Sequence, residues 1–140
     1  MNAHYHKLIL LIDSNQISNF FNKVILSQAK IAKKIIAVND CNEALDFITP
    51  KKTLNPIPDV IFLDLKTPVM SGWEFLEKYD KLDKTLKQSS IIVFAEDLLQ
   101  EEEAKLNQYF FVKLITGKNL DYKAVKNINI QLLKEKKAQA

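Results

Sequence analysis

The sequence predicts an α/β fold in which five parallel strands form one sheet covered by helices on both faces. Short apolar runs alternate with longer amphipathic stretches, which is typical of strands buried on both faces and connected by helices. The alternation gives five strands and five helices, so right-handed crossovers and a parallel sheet are expected. The 140 residues, 47% of them hydrophobic, suit a single packed domain over residues 1–140.

The first part of the chain predicts two strands with a helix between them. Leu8–Ile12 is a continuous apolar run that ends at Asp13, and Ile35–Val38 is a shorter run of the same kind. Ser14 or Asn15 can cap the intervening helix. Its apolar residues recur at helical spacing and share one face, which in a surface helix is normally the face that packs on the core. These residues are Ile17, Phe20, Phe21, Val24 and Ile25.

A second helix and a third strand follow. Asp40 or Asn42 can cap the helix, and Pro50 ends it because proline has no backbone N–H to continue the hydrogen-bond pattern. The proline-rich loop that comes next is too short for a domain boundary. Val60–Leu63 is apolar throughout and stops abruptly at Asp64, which predicts a third strand buried on both faces.

The second half of the chain continues the alternation. A tight loop over residues 65–72 leads to a third helix with one buried stripe. Ile91–Phe94 predicts the fourth strand, residues 98–107 an acidic fourth helix, and Tyr109–Val112 a fifth strand that ends at Lys113. The stripe of the third helix is formed by Trp73, Phe75, Leu76 and Tyr79.

The last predicted helix is capped by Asn119 or Asp121 and ends in the charged segment 134–137. That segment carries much of the net charge of +3, so the rest of the chain is close to neutral and no nucleic-acid surface is expected. We interpret the segment as a solvated helix end, and the polar end 134–140 is expected to be a true terminus. The residues turned inward are Leu120, Val125, Ile128, Leu132 and Leu133.

Several residue types restrict the class of protein. The single cysteine, Cys41, excludes an intrachain disulfide and fits a reducing compartment, and we expect it to be an ordinary helix-start residue. His4 and His6 precede the first predicted strand and are expected to be exposed. With only Gly72 and Gly117, neither a dinucleotide fingerprint nor a phosphate-binding P-loop can be drawn. No apolar run approaches the about 20 residues that cross a bilayer, so no membrane partner is expected.

Three polar residues end three predicted strands: Asp13, Asp64 and Lys113. In an open parallel sheet, sites form outside the carboxyl ends of the strands, so these side chains are expected to converge. A lone carboxylate at a strand end is usually a helix cap, but three such residues are harder to explain in that way. Two carboxylates within a few Å repel each other unless a cation such as Mg²⁺ relieves them, and a lysine can hold an added phosphoryl group.

The sequence around these residues resembles the receiver domains of two-component response regulators. The segment 64–72, Asp-Leu-Lys-Thr-Pro-Val-Met-Ser-Gly, is similar to their phosphoacceptor loop, which Pro68 and Gly72 would shape. Leu10–Asp13 and Phe111–Lys113 are similar to the ends of their first and fifth strands. The resemblance covers nearly the whole chain. It implies a doubly wound, flavodoxin-like three-layer sandwich with sheet order 2-1-3-4-5.

The resemblance also implies roles for individual residues. Asp64 would be the phosphorylated residue, and Lys113 would contact the phosphoryl group. Asp13, Asp64 and the backbone carbonyl of Lys66 would bind Mg²⁺. A histidine kinase or a phosphotransfer protein would be the phosphodonor, and an unidentified downstream protein would receive the signal by direct contact through the fourth helix, fifth strand and fifth helix. The chain would be cytoplasmic and would not be an enzyme.

The sequence departs from the receiver pattern at the metal site and at the end of the fourth strand. Receivers usually carry a second acid after the first, where this chain has Ser14, so weaker binding of Mg²⁺ is expected. Ser14 as a helix cap is an equally good interpretation. Receivers also end the fourth strand with a hydroxyl residue, but the candidates here are Phe94 or Ala95. That hydroxyl normally couples to an aromatic on the fifth strand, here Phe110, which is more simply explained as core.

Two further departures concern the loops of the site. Leu114 replaces the proline that usually follows the lysine, so a trans Lys113–Leu114 bond is expected. Lys66, Glu96 and Asp97 are expected to flank the mouth of the pocket, either paired across it or as separate solvated charges. Because of these losses, a pseudo-receiver that binds partners without phosphorylation is the alternative function. A phosphatase of the aspartyl-phosphate type is a third function, but the sequence shows no cap domain for it, and Lys66 stands two residues after Asp64 where it would need a second acid.

Overall fold

The computed structural model describes residues 6–49, 56–67, 70–117 and 120–139, and within these ranges five strands alternate with five helices, as the sequence predicts. In chain order the elements are β1 (His6–Ile12), α1 (Gln16–Ala29), β2 (Ala32–Val38), α2 (Cys41–Ile48), β3 (Val60–Asp64), α3 (Gly72–Asp80), β4 (Ser90–Phe94), α4 (Gln100–Asn107), β5 (Val112–Thr116) and α5 (Tyr122–Gln139).

The five strands form one parallel sheet in the order β2-β1-β3-β4-β5, which confirms the predicted doubly wound fold. The chain winds first toward β2 and then, after β1, toward β5. The carboxyl ends of β1 and β3 therefore border the crevice at which the direction of winding changes, where sites in this type of sheet usually form.

Each face of the sheet is covered by its own hydrophobic core. Alternate strand residues such as Leu10, Ile61 and Val93 pack against α2, α3 and α4. Their neighbours Ile9 and Phe62 pack on the opposite face against α1 and α5. The resulting three layers are those of the predicted sandwich. The residues predicted to turn inward on the last helix are buried, except that Leu133 is half-buried. The predicted buried stripe of α3 is also buried, except that Trp73 is half-buried.

Asparagine and aspartate side chains start the helices next to the predicted site. Asn15 caps α1 by accepting hydrogen bonds from the backbone N–H groups of Ile17 and Ser18 at 2.9 and 3.0 Å. Asp40 caps α2 through the Glu43 N–H at 2.8 Å. Asp121 accepts from the Ala124 N–H at 2.7 Å at the start of α5. Asn15, rather than Ser14, is therefore the α1 cap, and Pro50 and Asn119 lie outside the described residues.

The apolar face of α1 has the predicted spacing but points in the unexpected direction. Ile17, Phe20 and Phe21 are 69%, 64% and 62% exposed, whereas Asn19, Asn22 and Leu26 are buried against the sheet. The Asn19 amide donates to the carbonyl oxygens of Asp13 and Val38 at 3.1 and 2.8 Å, so its burial is compensated by hydrogen bonds. Three residues of the predicted apolar face therefore point to solvent, whereas Ile25 is half-buried and packs against the core.

The fifth strand begins later than the sequence predicts. Residues 109–111 form a turn, in which the Val112 N–H donates to the Tyr109 carbonyl at 3.1 Å. The Phe111 ring packs edge-on against Tyr79 in the core, with 4.8 Å between ring centroids. Phe110 is 67% exposed, so its prediction as core is wrong. The Lys113–Leu114 bond is trans, as expected.

His6 is a further correction at the start of the chain. It belongs to β1, is buried, and its Nε2 lies 2.9 Å from Oδ1 of Asn129 in α5. The sequence prediction placed it in an exposed stub because an imidazole at the start of an apolar run carries no signal of burial. His4 lies outside the described residues. None of the described helices is long and apolar enough to cross a membrane.

Candidate functional site

Asp13 and Asp64 lie next to each other at the carboxyl edge of the sheet. The last paired residues of β1 and β3 are Ile12 and Leu63, and each aspartate is the next residue of its strand line. Parallel neighbours are about 4.8 Å apart across a sheet, so the two backbones hold these carboxyl groups side by side. Both residues are 1% exposed. The register therefore places this pair at the same edge of the sheet, which is what the predicted convergence requires.

Asparagine residues fix the backbone around Asp13. The carboxylate Oδ1 of Asp13 accepts from the Asn15 N–H at 2.9 Å, which turns the chain out of β1. The Asp13 carbonyl accepts from the side-chain amides of Asn19 at 3.1 Å and Asn39 at 3.4 Å. Sequence reasoning missed Asn19 and Asn39, because an asparagine in a helix or after a strand is usually a solvated residue. Asn19 shares a helix face with Asn22 and Leu26, opposite Ile17, Phe20 and Phe21, so the hydrophobic pattern gives no signal for it.

The loop after Asp64 is held by contacts of its own. Oδ1 of Asp64 accepts from the Lys66 N–H at 3.0 Å. The Thr67 hydroxyl donates to the Met70 carbonyl at 2.6 Å and lies 3.3 Å from the Cys41 sulfur, which ties the loop to the start of α2. These bonds hold the Asp64 carboxylate and the following turn in one geometry.

Gly72 allows α3 to begin against the backbone of this loop. A Cβ atom at Gly72 would lie 2.6 Å from Cα of Leu65 and 2.9 Å from the carbonyl oxygen of Asp64, both too close for any side chain. The Gly72 N–H donates to the Leu65 carbonyl at 3.0 Å. Gly72 shapes the loop, as the resemblance implies, whereas Pro68 lies outside the described residues.

Lys113 does not reach the two aspartates. Thr116 pairs with Phe94, which pairs with Asp64, so the carboxyl end of β5 is level with Asp64 and Lys113 lies three residues before it. The Lys113 amine is 4.0 Å from the Glu135 carboxylate on α5. The prediction that Lys113 ends the fifth strand is wrong, because the strand starts at Val112. Lys118, two residues beyond Thr116 in the sequence, lies outside the described residues.

A cavity of about 550 Å³ adjoins Asp64, between the loop after β3 and the start of α4. Ala95, the first residue beyond β4, lines it and brings no hydroxyl, while Phe94 stacks on Phe62 with 5.4 Å between ring centroids. Lys66, Glu96 and Asp97 are exposed at its border, as predicted. The remaining lining residues are Leu65, Trp73, Leu98, Leu99 and Glu102.

The two adjacent carboxylates have the chemistry of a magnesium site. Mg²⁺ is usually held by one or two carboxylates together with several waters and phosphate oxygens, so Asp13 and Asp64 fit it. Within the described ranges, no group of three or more His, Cys, Asp or Glu side chains is arranged to hold a metal ion. Because Ser14 stands where receivers usually carry a second acid, weak affinity for Mg²⁺ stays a prediction.

Cys41 is a structural residue at the start of α2. Its side chain is buried, and this burial raises the pKa of the thiol from 9.0 to about 11. The thiol is therefore protonated at neutral pH and a poor nucleophile. The expectation that Cys41 is an ordinary helix-start residue is confirmed.

The architecture and site described above define a doubly wound α/β domain with paired carboxylates at its topological switch point. No protein-family model and no curated protein sequence matches the chain. Solved structures do match it over most of its length, and they are response-regulator receiver domains. The chain has the receiver fold, as the resemblance in its sequence implies.

Three of these structures illustrate the likeness. A two-component response regulator from Cytophaga hutchinsonii superposes with a TM-score of 0.81 at 23% identity, over 93% of this chain and 98% of that one. A two-component response regulator from Legionella pneumophila superposes with a TM-score of 0.72 at 23% identity, over 90% of this chain and 98% of that one. A chemotaxis protein from Vibrio cholerae superposes with a TM-score of 0.71 at 17% identity, over 87% of this chain and 94% of that one. At these identities the likeness shows the fold alone.

Proposed function

We propose that the chain, residues 1–140, is a single receiver domain of a two-component phosphorelay that accepts a phosphoryl group on Asp64. The observation that carries the proposal is the pair of buried, adjacent carboxylates of Asp13 and Asp64 at the switch point of a receiver fold. A histidine kinase or a phosphotransfer protein is the proposed donor, and the proposed location is the cytoplasm. The output is contact with a downstream protein, with no role as an enzyme.

The proposed transfer is a displacement at phosphorus. A carboxylate oxygen of Asp64 attacks the phosphorus of a phosphohistidine, so that a P–O bond forms while the P–N bond breaks and its electron pair returns to the imidazole. When bound by Asp13, Asp64 and the Lys66 carbonyl, Mg²⁺ supplies positive charge against the carboxylates and the phosphoryl oxygens. The Lys66 N–H donates a hydrogen bond to Oδ1 of Asp64 at 3.0 Å, which helps to hold the attacking carboxylate in place.

The alternative is a pseudo-receiver that binds its partner without phosphorylation. Ala95 favours it, because this residue stands at the end of β4 without the hydroxyl that would contact a phosphoryl group. The position of Lys113 favours it as well, since that amine lies near Glu135 and away from Asp64. The intact carboxylate pair and the close fit of Gly72 favour the working receiver.

Intact mass spectrometry after incubation with acetyl phosphate tests the proposal. We expect the mass of one phosphoryl group to be added when Mg²⁺ is present, and to be absent without Mg²⁺ or in Asp64→Asn. Asp121→Asn is the matched control, because asparagine also caps a helix and this position lies outside the site. No added mass at saturating Mg²⁺ would favour the pseudo-receiver.

Two lysine variants decide which amine assists the transfer. Because Lys113 contacts Glu135 and lies away from the site, Lys113→Ala is expected to leave the rate of labelling unchanged. Lys118 follows the carboxyl end of β5 in the sequence, and we propose that it replaces Lys113 in this role, so Lys118→Ala is expected to slow labelling. Slow labelling in Lys113→Ala with a normal rate in Lys118→Ala would restore the original assignment.

A further inference from the structure

The cavity beside Asp64 has an apolar lining that the folded chain leaves open. Its volume of about 550 Å³ is within the range of cavities that take up a ligand. Trp73 and Leu98 are half-buried in the lining, and Leu99 is 62% exposed there. Leu65 adds a buried apolar side chain. These residues together offer a surface on which an apolar side chain of another molecule is removed from water.

Acidic side chains surround this lining, and we call the cavity together with them the acidic groove. Five acids occur within eight residues of the chain, a segment without any basic residue, although the whole chain has a net charge of +3. They are Glu96, Asp97, Glu101, Glu102 and Glu103. Within the ranges that the structure describes, none of the five forms an ion pair, and Lys66 is the one basic residue of the lining. Their negative charge is therefore available to a partner.

The ring of Trp73 suits a cation as well as an apolar group. The Lys105 amine lies 4.8 Å from the centroid of this ring, a distance at which the face of an indole attracts a cation. Lys105 is not one of the lining residues, so its amine leaves the groove itself open. The acidic groove therefore combines an apolar centre with an acidic border, which is the arrangement of many protein interfaces.

We propose that the acidic groove binds a short basic segment of a partner protein, in which an apolar side chain is flanked by lysine or arginine. The apolar side chain packs against Trp73, Leu98 and Leu99. The flanking cations lie opposite Glu96 and Asp97, where charge complementarity selects them over acidic or neutral side chains.

The extent of the charge favours a protein segment over a small amine. The helix α4 has eight residues and is therefore about 12 Å long, and its first turn carries Glu101, Glu102 and Glu103. About four residues of extended chain cover this distance. A single amine contacts one or two of the five acids, whereas a segment with several basic residues meets most of them. A nucleic acid is excluded, because its phosphates are repelled by the same charge.

The inference rests on the proposed function in one respect, since it assigns the basic segment to the downstream partner. Binding itself requires no phosphoryl group on Asp64. All titrations therefore use unphosphorylated protein, without Mg²⁺ and without a phosphodonor. Binding in a chain that acetyl phosphate fails to label would overturn the proposed phosphotransfer alone, and labelling without binding would overturn this inference alone.

Trp73 is the only tryptophan of the chain, so its fluorescence reports directly on the acidic groove. The end-blocked peptide Lys-Leu-Lys-Lys-Leu-Lys is expected to change the emission until it saturates. Replacing its leucines by serine, or its lysines by glutamate, is expected to weaken binding at least about tenfold. Net charge alone would favour the glutamate peptide, because the chain is positively charged as a whole. No saturable change with the first peptide, or equal binding of all three, would overturn the proposal.

Acid variants locate the binding site by isothermal titration calorimetry. Glu96→Gln combined with Asp97→Asn is expected to weaken binding of the lysine–leucine peptide by about fivefold. Asparagine tolerates the left-handed backbone of Asp97, whose φ is 55°, so this variant is expected to fold. Glu43→Gln combined with Asp121→Asn is the matched control, which removes the same charges near the starts of α2 and α5. Equal weakening in both double variants would overturn the proposal.

An apolar variant tests the centre of the groove in the same way. Leu99→Ser is expected to weaken binding at least about fivefold, because the apolar contact is lost. Leu99 is the N-cap residue of α4, a position that serine favours, so the helix is expected to remain folded, as circular dichroism can verify. Ile17→Ser, at a position of α1 that is 69% exposed, is the matched control and is expected to bind normally. Normal binding in Leu99→Ser would overturn the proposal.

Discussion

At the scale of single residues, Gly72 controls the geometry of the proposed phosphoacceptor. A Cβ at this position would meet the backbone of Leu65 and Asp64, which no rotamer change can relieve. Gly72→Ala is expected to lower the free energy of unfolding by about 1–3 kcal/mol and to reduce labelling of Asp64, because the loop must move. Urea denaturation and intact mass measure the two effects.

Gly117→Ala is the control for this prediction. A Cβ at Gly117 would have no atom within 4 Å, and its backbone is not left-handed, so alanine is expected to be tolerated. A loss of stability in Gly117→Ala equal to that in Gly72→Ala would contradict the assigned role of Gly72, because alanine at an open position restricts only the unfolded chain and is expected to stabilise slightly.

Cys41 gives a prediction for the dependence of stability on pH. Burial raises the pKa of its thiol from 9.0 to about 11, so the folded state keeps the proton over a range in which the unfolded state loses it. The free energy of unfolding is therefore expected to fall as the pH rises from 9 to 11 and then to lose no more from this group. Urea denaturation of Cys41→Ala against the wild type isolates this contribution, and parallel pH profiles of the two proteins would contradict it.

At the scale of elements, α1 shows what a hydrophobic pattern determines. Spacing in the sequence correctly placed Ile17, Phe20 and Phe21 on one face of a helix. The direction of that face could not be predicted, because the buried partners of Asn19 are the carbonyls of Asp13 and Val38, which only the folded chain brings together. A polar face that is satisfied by backbone carbonyls can therefore replace an apolar one against the sheet.

The two faces of α1 are expected to respond oppositely to substitution. Leu26 is fully buried, and Leu26→Ala is expected to lower the free energy of unfolding by about 2–5 kcal/mol. Phe21→Ala, at an exposed position, is expected to change it by about 0.5 kcal/mol or less. Urea denaturation measures both values. A loss in Phe21→Ala comparable to that in Leu26→Ala would show that the exposed apolar face of α1 supports the fold itself.

The fifth strand shows the limit of reading apolar runs. Residues 109–112 and 114–115 are both apolar, and the lysine between them made the first run look like a strand with a polar end. In the structure, residues 109–111 form a turn in which the Phe111 ring packs on Tyr79, and pairing begins at Val112. That choice depends on a core contact made by α3, far away in sequence.

At the scale of the whole molecule, the strands and the meeting of the two aspartates could be predicted from local patterns and general rules, whereas the sheet order was implied by the resemblance to receiver domains. Apolar runs locate β1 and β3, and the winding of a parallel sheet places their carboxyl ends together. The asparagine network around Asp13 and the burial of His6 could not be predicted, because each depends on contacts between residues distant in sequence. The correct part of the site is the part that topology alone determines.

The paired carboxylates also link the site to the stability of the whole domain. Asp13 and Asp64 are held side by side and repel each other when both are ionised, so Mg²⁺ is expected to raise the melting temperature. Saturation to about a hundredfold above the dissociation constant corresponds to about 2.7 kcal/mol. Thermal unfolding with and without Mg²⁺ measures the effect.

Substitutions at Asp13 and Ser14 test whether the response of the melting temperature to Mg²⁺ arises at this edge of the sheet. Asp13→Asn removes one charge, so it is expected to raise the melting temperature without Mg²⁺ and to abolish most of the response to Mg²⁺. Ser14→Asp adds a carboxylate at the position where the metal site is weakest, and it is expected to lower the Mg²⁺ concentration needed for the response. An unchanged Mg²⁺ response in Asp13→Asn would show that Mg²⁺ does not bind at this edge of the sheet. The adjacent carboxylates would then have no metal to explain them.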